Sequence, residues 1–248
     1  LYALAMQNGM TPCTTVQNVQ RSYGNWTPRN ASKARYGQQV PLRWGLQQSN
    51  NWISAYLISL LGPSQFVNIL HDFGLNNPDI EKNTSPVLCL GPSELSLGEM
   101  CSAYTTFINH GVRCAPLFVT RIEDSHGNVV AKFQPLMNEV ISEESSFKML
   151  DMLQAVIQGG TGGRLRYNYN LTGEIGGKTG TTNNNSDGWF MGFTPQLVNG
   201  CWVGGEDRDI HFDSTAMGQG ATMALPIWAY FMQMVYADKS LHYSPKAK

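Results

Sequence analysis

Near Val112 the hydrophobic period of this 248-residue chain switches from that of helices to that of strands. Upstream, Gly62, Gly74 and Gly111 each follow an apolar run with helical spacing, as residues just past a helix end do, and Pro41 sits where a first turn tolerates it. Ser96 and Glu99 form the S-x-x-E pattern of a capping box ahead of Met100, Tyr104 and Phe107. Residues 1–111 are therefore predicted mainly helical, except 11–40, which are rich in Thr, Asn, Gly and Pro and read as an ordered loop. Downstream, 117–122 and 129–133 flank the turn chemistry of Asp124 to Asn128 and predict a β-hairpin. A helix is predicted over 143–158, with Ser142 as N-cap and Gly159 at its end. Strands over 171–182, 187–194 and 197–204 follow, joined by short turns that pair strands antiparallel. A closing helix around Ile227, Trp228, Tyr230, Phe231 and Met234 would pack on that sheet. The expected fold is α/β, an all-α part over 1–111 and an antiparallel sheet flanked by helices over 112–248.

A 42% hydrophobic, 14% charged chain with net charge -1 is globular and carries no polyanion-binding surface, so nucleic acid is not an expected partner. The apolar stretch from Ala224 to Ala237 carries Pro226 and Gln233 and falls short of the roughly 20 residues that span a bilayer. Cys13, Cys89, Cys101, Cys114 and Cys201 contain no C-x-x-C pair and read as small buried hydrophobes; the five histidines show no ligand spacing. No metal or cofactor is expected. The opening Leu1 to Met6 reads as the middle of an apolar helix with no cap signal, as if cut from something longer.

The strongest local signal is Gly176-Gly177-Lys178-Thr179-Gly180-Thr181-Thr182 at a strand end. A phosphate-binding P-loop needs a glycine where Thr172 stands and must open a helix, whereas Asn183 to Ser186 opens a turn. The other reading is K-T-G, which works together with an upstream S-x-N and S-x-x-K. Ser49 and Asn51 supply S-x-N, in the right order and between two helical patterns; taken alone, Ser49 reads as the N-cap of the helix through Trp52, Tyr56 and Leu60. The S-x-x-K in the chain, Ser145 to Lys148, follows S-x-N instead of preceding it. Helical phase turns Lys148 away from Leu150, Leu153 and Ile157, so Ser145 is expected to face water as a non-catalytic decoy.

With those motifs in place, nearly the whole chain resembles the transpeptidase domain of class A, bifunctional penicillin-binding proteins, whose fold is also that of the serine β-lactamases. The likeness takes in Leu1 to Ala5 with Gly9 and Pro12, Leu90-Gly91 to Tyr104, Asn109-His110-Gly111, Gly160-Thr161-Gly162, Asp187 to Pro195 and Leu225 to Trp228. By the family pattern the nucleophilic serine of S-x-x-K lies about six residues before Leu1, so these residues alone are expected to be inactive.

The resemblance implies acyl transfer through a serine acyl-enzyme from a D-Ala-D-Ala stem peptide, with β-lactams as inhibitors. It makes Lys178 a second cation that lowers the pKa of the base lysine, Ser49 a proton relay, and Asn51 a holder of the substrate carbonyl. Thr179 and Thr181 would bind the terminal carboxylate, and the Thr181 N–H would be half of an oxyanion hole. Gly177 and Gly180, with Thr182 at the strand end, would leave room for an extended substrate along the strand. The same residues would serve a carboxypeptidase, a β-lactamase or a non-catalytic β-lactam sensor. An upstream glycosyltransferase domain, a membrane anchor and an extracytoplasmic location are likewise implied by the resemblance.

Overall fold

The computed structural model describes residues 1–82 and 85–246. The first part runs α1 (Tyr2–Gln7), β1 (Thr15–Gln17), β2 (Gln39–Pro41), α2 (Leu42–Gln47), α3 (Asn51–Leu61), α4 (Pro63–Asp72), α5 (Pro78–Lys82), a 3-10 turn and α6 (Leu97–Ile108). Two small ladders follow: β3 (Val112–Cys114) pairs with β6 (Met137–Glu139), and β4 (Arg121–Glu123) with β5 (Val129–Lys132). Then come α7 (Glu143–Gly159), α8 (Arg164–Tyr167), β7 (Gly176–Thr181), β8 (Asp187–Phe193), β9 (Val198–Gly204), α9 (Thr215–Gly218), α10 (Gly220–Met223) and α11 (Leu225–Ala237). The fold is mixed α/β with antiparallel sheets.

Local chemistry accounts for the boundaries. The Ser96–Glu99 capping box forms in full at the start of α6, and Ser142 caps α7 by accepting the Ser145 N–H. Gly62, Gly74 and Gly111 end their helices at positive φ, where a Cβ would be strained. The helix after Ser49 is capped differently from the sequence expectation: the carboxamide oxygen of Asn50 accepts the Ile53 N–H at 3.1 Å, and Ser49 lies outside α3.

Two strand spans are shorter than their hydrophobic pattern suggests. Residues 117–120 join no ladder, following Pro116, which has no N–H to give one. β7 begins at Gly176 and not at Leu171, because Gly173 turns at φ +91 with the Pro245 carbonyl 2.1 Å from where a Cβ would stand. The cysteines also depart from expectation: Cys13 is exposed and the other four are half-buried free thiols.

The sheet β7-β8-β9 is antiparallel, with Lys178 opposite Met191 and Thr179 opposite Phe190. One face carries Met191 and Gly200 and packs under Leu97 of α6; the other carries Phe190 and Gly192 and packs on Trp228 of α11, whose ring meets Phe190 edge-on at 5.3 Å. Helix α7 touches α1, α2, α6 and β7, so a single hydrophobic core runs from Tyr2 to Val235 and binds the S-x-N segment to the K-T-G strand. Among the described residues no single helix is long and apolar enough to cross a membrane; α3 and α4 together are apolar enough but meet at 97°.

Candidate active site

Helix α2 ends in a Schellman motif: the Asn50 N–H reaches the Gly45 carbonyl at 2.8 Å and the Ser49 N–H reaches Leu46 at 3.0 Å. Ser49 is the residue in the left-handed region, φ 53, a place where glycine is preferred. That conformation turns its hydroxyl towards the sheet, where the Lys178 ammonium donates to Ser49 Oγ at 2.8 Å and to the Thr179 carbonyl at 2.9 Å. Alternation along β7 puts Lys178 on the face covered by α6 and α7, at the wall of an apolar cavity of about 220 Å³ shared with Leu46, Tyr104, Met149 and Leu153. Burial there, with no carboxylate paired to it among the described residues, lowers the Lys178 pKa from its usual 10.5 to about 8.

The opposite side of β7 faces the turn after α7. Thr179 donates its hydroxyl to Thr161 Oγ1 at 2.7 Å, and Thr181 Oγ1 accepts the Gly220 N–H at 3.0 Å, keeping its own proton to give. The Thr161 turn is also tied to α2: the Thr161 N–H reaches the Gln47 carbonyl at 3.2 Å, and the Gln47 amide donates to Ala155 at 3.0 Å. Gly160 is required for this approach, since a Cβ would lie 2.2 Å from the Gln47 carbonyl oxygen. A strut thus runs from Gln47, two residues before Ser49, through Thr161 to Thr179, one residue after Lys178.

Comparison with known proteins identifies the family. Residues 1–204 match the family described as the penicillin binding protein transpeptidase domain. This chain belongs to that family of peptidoglycan-synthesis enzymes. It is 32% identical over 241 residues to penicillin-binding protein 1A of Aquifex aeolicus, covering 95% of this chain and 32% of that protein. It is 30% identical over 251 residues to penicillin-binding protein 1A of Neisseria meningitidis, covering 96% and 30%. The chain therefore spans about a third of the length of these curated relatives. Among solved structures it is similar to penicillin-binding protein 1A from Haemophilus influenzae, with TM-score 0.85 and 26% identity over 100% of this chain and 42% of that one. The imipenem acyl-enzyme of penicillin-binding protein A from M. tuberculosis shares the fold, with TM-score 0.75 and 17% identity over 94% and 57%.

Within this transpeptidase fold the expected site residues divide. Lys178 meets Ser49 and the Thr179 carbonyl directly, whereas the Thr179 and Thr181 hydroxyls turn to Thr161 and to the Gly220 N–H. Asn51 spends one amide N–H on the Arg29 carbonyl at 2.7 Å, while its backbone N–H goes to Asn30, so it braces the loop between β1 and β2. Thr182 is committed to the β7–β8 turn, where its hydroxyl meets Ser186 and Asp187 and accepts the Asp187 N–H. Gly177 and Gly180 leave space that β8 fills: a Cβ would meet the Met191 carbonyl at 2.6 Å and Trp189 Cβ at 3.0 Å. Ser145 is not the water-facing residue that helical phase predicts; it is buried, 3% exposed, beneath the Ser142 hydroxyl that donates to it. Its partner Lys148 is half-buried and paired with Glu144 at 2.6 Å, so this S-x-x-K is structural. Sequence reasoning named Gly160-Thr161-Gly162 as part of the resemblance but gave Thr161 no role; four glycines around one threonine in 159–163 were the available signal.

Proposed function

We propose that this chain is the D,D-transpeptidase portion of a peptidoglycan synthase, transferring an acyl group from D-Ala-D-Ala to an amine of a neighbouring stem peptide. The observation that carries this reading is the 2.8 Å bond from Lys178 to Ser49, because it joins the two family motifs in one cleft around a lysine of lowered pKa. The nucleophile is a serine of an S-x-x-K motif outside residues 1–248. Ser145 lies in the core, and Ser49, which accepts the Lys178 hydrogen bond at 2.8 Å, takes the part of a proton relay.

The division of labour follows from the hydrogen-bond directions. Lys178 donates to Ser49, so the Ser49 proton points onward to the leaving nitrogen, which must gain a proton as its bond to the acyl carbon breaks. The charge of Lys178 also holds a nearby base lysine neutral by like-charge repulsion. The Thr181 hydroxyl, whose proton is free, donates to the terminal carboxylate, Thr179 joins it by turning its proton from Thr161 to the ligand, and the Thr181 N–H supplies one oxyanion donor, a type of group worth roughly 10²–10³ in rate. Asn51 remains the residue proposed to hold the substrate's peptide carbonyl through its second amide N–H, and Gly180 and Thr182 keep the strand and turn in place beside it. By analogy with the class A relatives, a glycosyltransferase domain and a membrane anchor belong to the same protein, and the site faces the extracytoplasmic side.

The test gives the intact protein a D-Ala-D-Ala donor and a D-amino acid acceptor. Exchange product supports transpeptidation, whereas free acid alone would make it a carboxypeptidase and no turnover a β-lactam-binding module.

A further inference from the structure

Ser49 stands at φ 53, and a non-glycine residue keeps such a conformation only where its surroundings over-determine it. Among the described residues its hydroxyl is bonded by Lys178 alone, so its place depends on the backbone that carries it. The next residue, Asn50, is buried, and its side chain points inward to Asn18, which lies just past β1 and is 0% exposed. The Asn18 backbone closes the loop between β1 and β2: its N–H reaches the Gln38 carbonyl at 2.9 Å, and its carbonyl accepts the Gly37 N–H at 2.8 Å. The Asn18 side chain donates to the Ala34 and Arg35 carbonyls at 2.9 and 3.0 Å and accepts Asn50 Nδ2 at 3.0 Å.

The directions in this network are forced. Backbone carbonyls only accept, so Asn18 turns its Nδ2 to Ala34 and Arg35 and its Oδ1 to Asn50. Asn50 must then present Nδ2 to Asn18, which leaves its Oδ1 for the Ile53 N–H at the start of α3. Oriented amides thus run from the loop through Asn18 and Asn50 into the first turn of α3, and neither side chain has an oxygen or nitrogen without a partner. A buried polar network satisfied in full is rigid. Space-filling alone would call for an apolar residue at 18, as at the buried Val16 and Val40 of the same ladder.

We propose that Asn18 is a positioning residue for acyl transfer: through Asn50 it holds the Ser49 turn at the geometry in which Ser49 Oγ meets Lys178 Nζ. This rests on the proton-relay reading above.

The experiment follows penicillin adduct formation in the intact protein by intact mass, across pH. Asn50→Ser keeps a hydroxyl able to cap α3 but too short to reach Asn18; Asn18→Leu keeps the volume and removes both ends of the bridge. Each should form the adduct about tenfold more slowly. The alkaline midpoint, near 8 in the parent, should move to lower pH, because Lys178 loses the acceptor that favours its charged form. A merely structural role would lower the melting temperature and leave that midpoint in place. In a Ser49→Ala background, Asn50→Ser should slow the adduct no further, since the two substitutions act on one element. If Asn18→Leu does not fold, Asn50→Ser decides the matter. The parental rate or midpoint in Asn50→Ser, or an undiminished loss in the Ser49→Ala background, would overturn the positioning role. A parent that forms no adduct removes the acyl-transfer reading, and a Ser49→Ala protein as fast as the parent removes the relay. A slow Ser49→Ala beside a fast Asn50→Ser removes the role of Asn18 alone.

Discussion

Lys178 Nζ donates to Ser49 Oγ across 2.8 Å although the two residues are 129 positions apart in the chain. Neither side chain is placed by its own local structure alone. Ser49 is set by the turn that ends α2, and Lys178 by its register opposite Met191. The contact exists because α7 packs against both α2 and β7.

Ser49 occupies a left-handed position that suits glycine better. Ser49→Gly should therefore be more stable than Ser49→Ala by about 1 kcal/mol, while both lose at least about 10²-fold in acyl transfer, the usual share of a positioned proton carrier. Chemical denaturation and exchange kinetics on the two variants check this; a fully active Ser49→Gly would remove the proton relay.

Burial holds the Lys178 pKa near 8 in the folded protein, against 10.5 when the chain unfolds. Between these values the unfolded state binds more protons, so this residue makes stability rise with pH from about 8 to 10.5, and below 8 it contributes a standing cost. Lys178→Met should lack that rise and melt no lower than the parent at pH 7. The same pKa gives acylation a decline on the alkaline side with a midpoint near 8, as the donor to Ser49 loses its charge. Lys178→Arg, charged throughout, should show a lower rate without that decline.

The strut through Thr161 predicts a split between kinetics and folding. Thr161→Val removes the acceptor of the Thr179 hydroxyl and should cost about 1 kcal/mol of stability while raising KM for the donor peptide more than it lowers kcat; Thr161→Ser should restore both. Gly160→Ala forces a Cβ against the Gln47 carbonyl and should destabilise by about 2 kcal/mol or more. Steady-state kinetics beside melting curves distinguish the two effects.

Ser145→Ala should leave penicillin adduct formation unchanged, since its hydroxyl is buried beneath Ser142 and its lysine partner is paired with Glu144. Intact-mass measurement on the variant checks it, and loss of the adduct would return Ser145 to candidacy.

Much of this was legible in the residues because capping and turn chemistry act locally. The capping box of α6, the ends of α7 and the antiparallel order of β7, β8 and β9 all follow from neighbours within a few positions. The misses are long-range. Asn50 displaces Ser49 as the cap of α3 partly because its amide also donates to the buried Asn18, 32 residues away. Leu171 looks like a strand residue until Pro245 closes over Gly173. Ser145 is buried since α7 lies in the middle of the core, where the residues beside Ser142 meet α6, and helical phase alone does not show which faces are covered. The pairing of Lys178 with Ser49 was expected from motif order, whereas the bond of Thr179 to Thr161 depends on a turn that no periodicity describes.

The central claim, that the Lys178–Ser49 cleft performs acylation, is tested most directly by the rate of penicillin adduct formation in the intact protein and its Lys178→Ala variant, followed by intact mass at pH 7. The account predicts a rate at least about 10²-fold lower in the variant, with a melting temperature no lower than the parent's. A Lys178→Ala protein that acquires the adduct at the parental rate would contradict it.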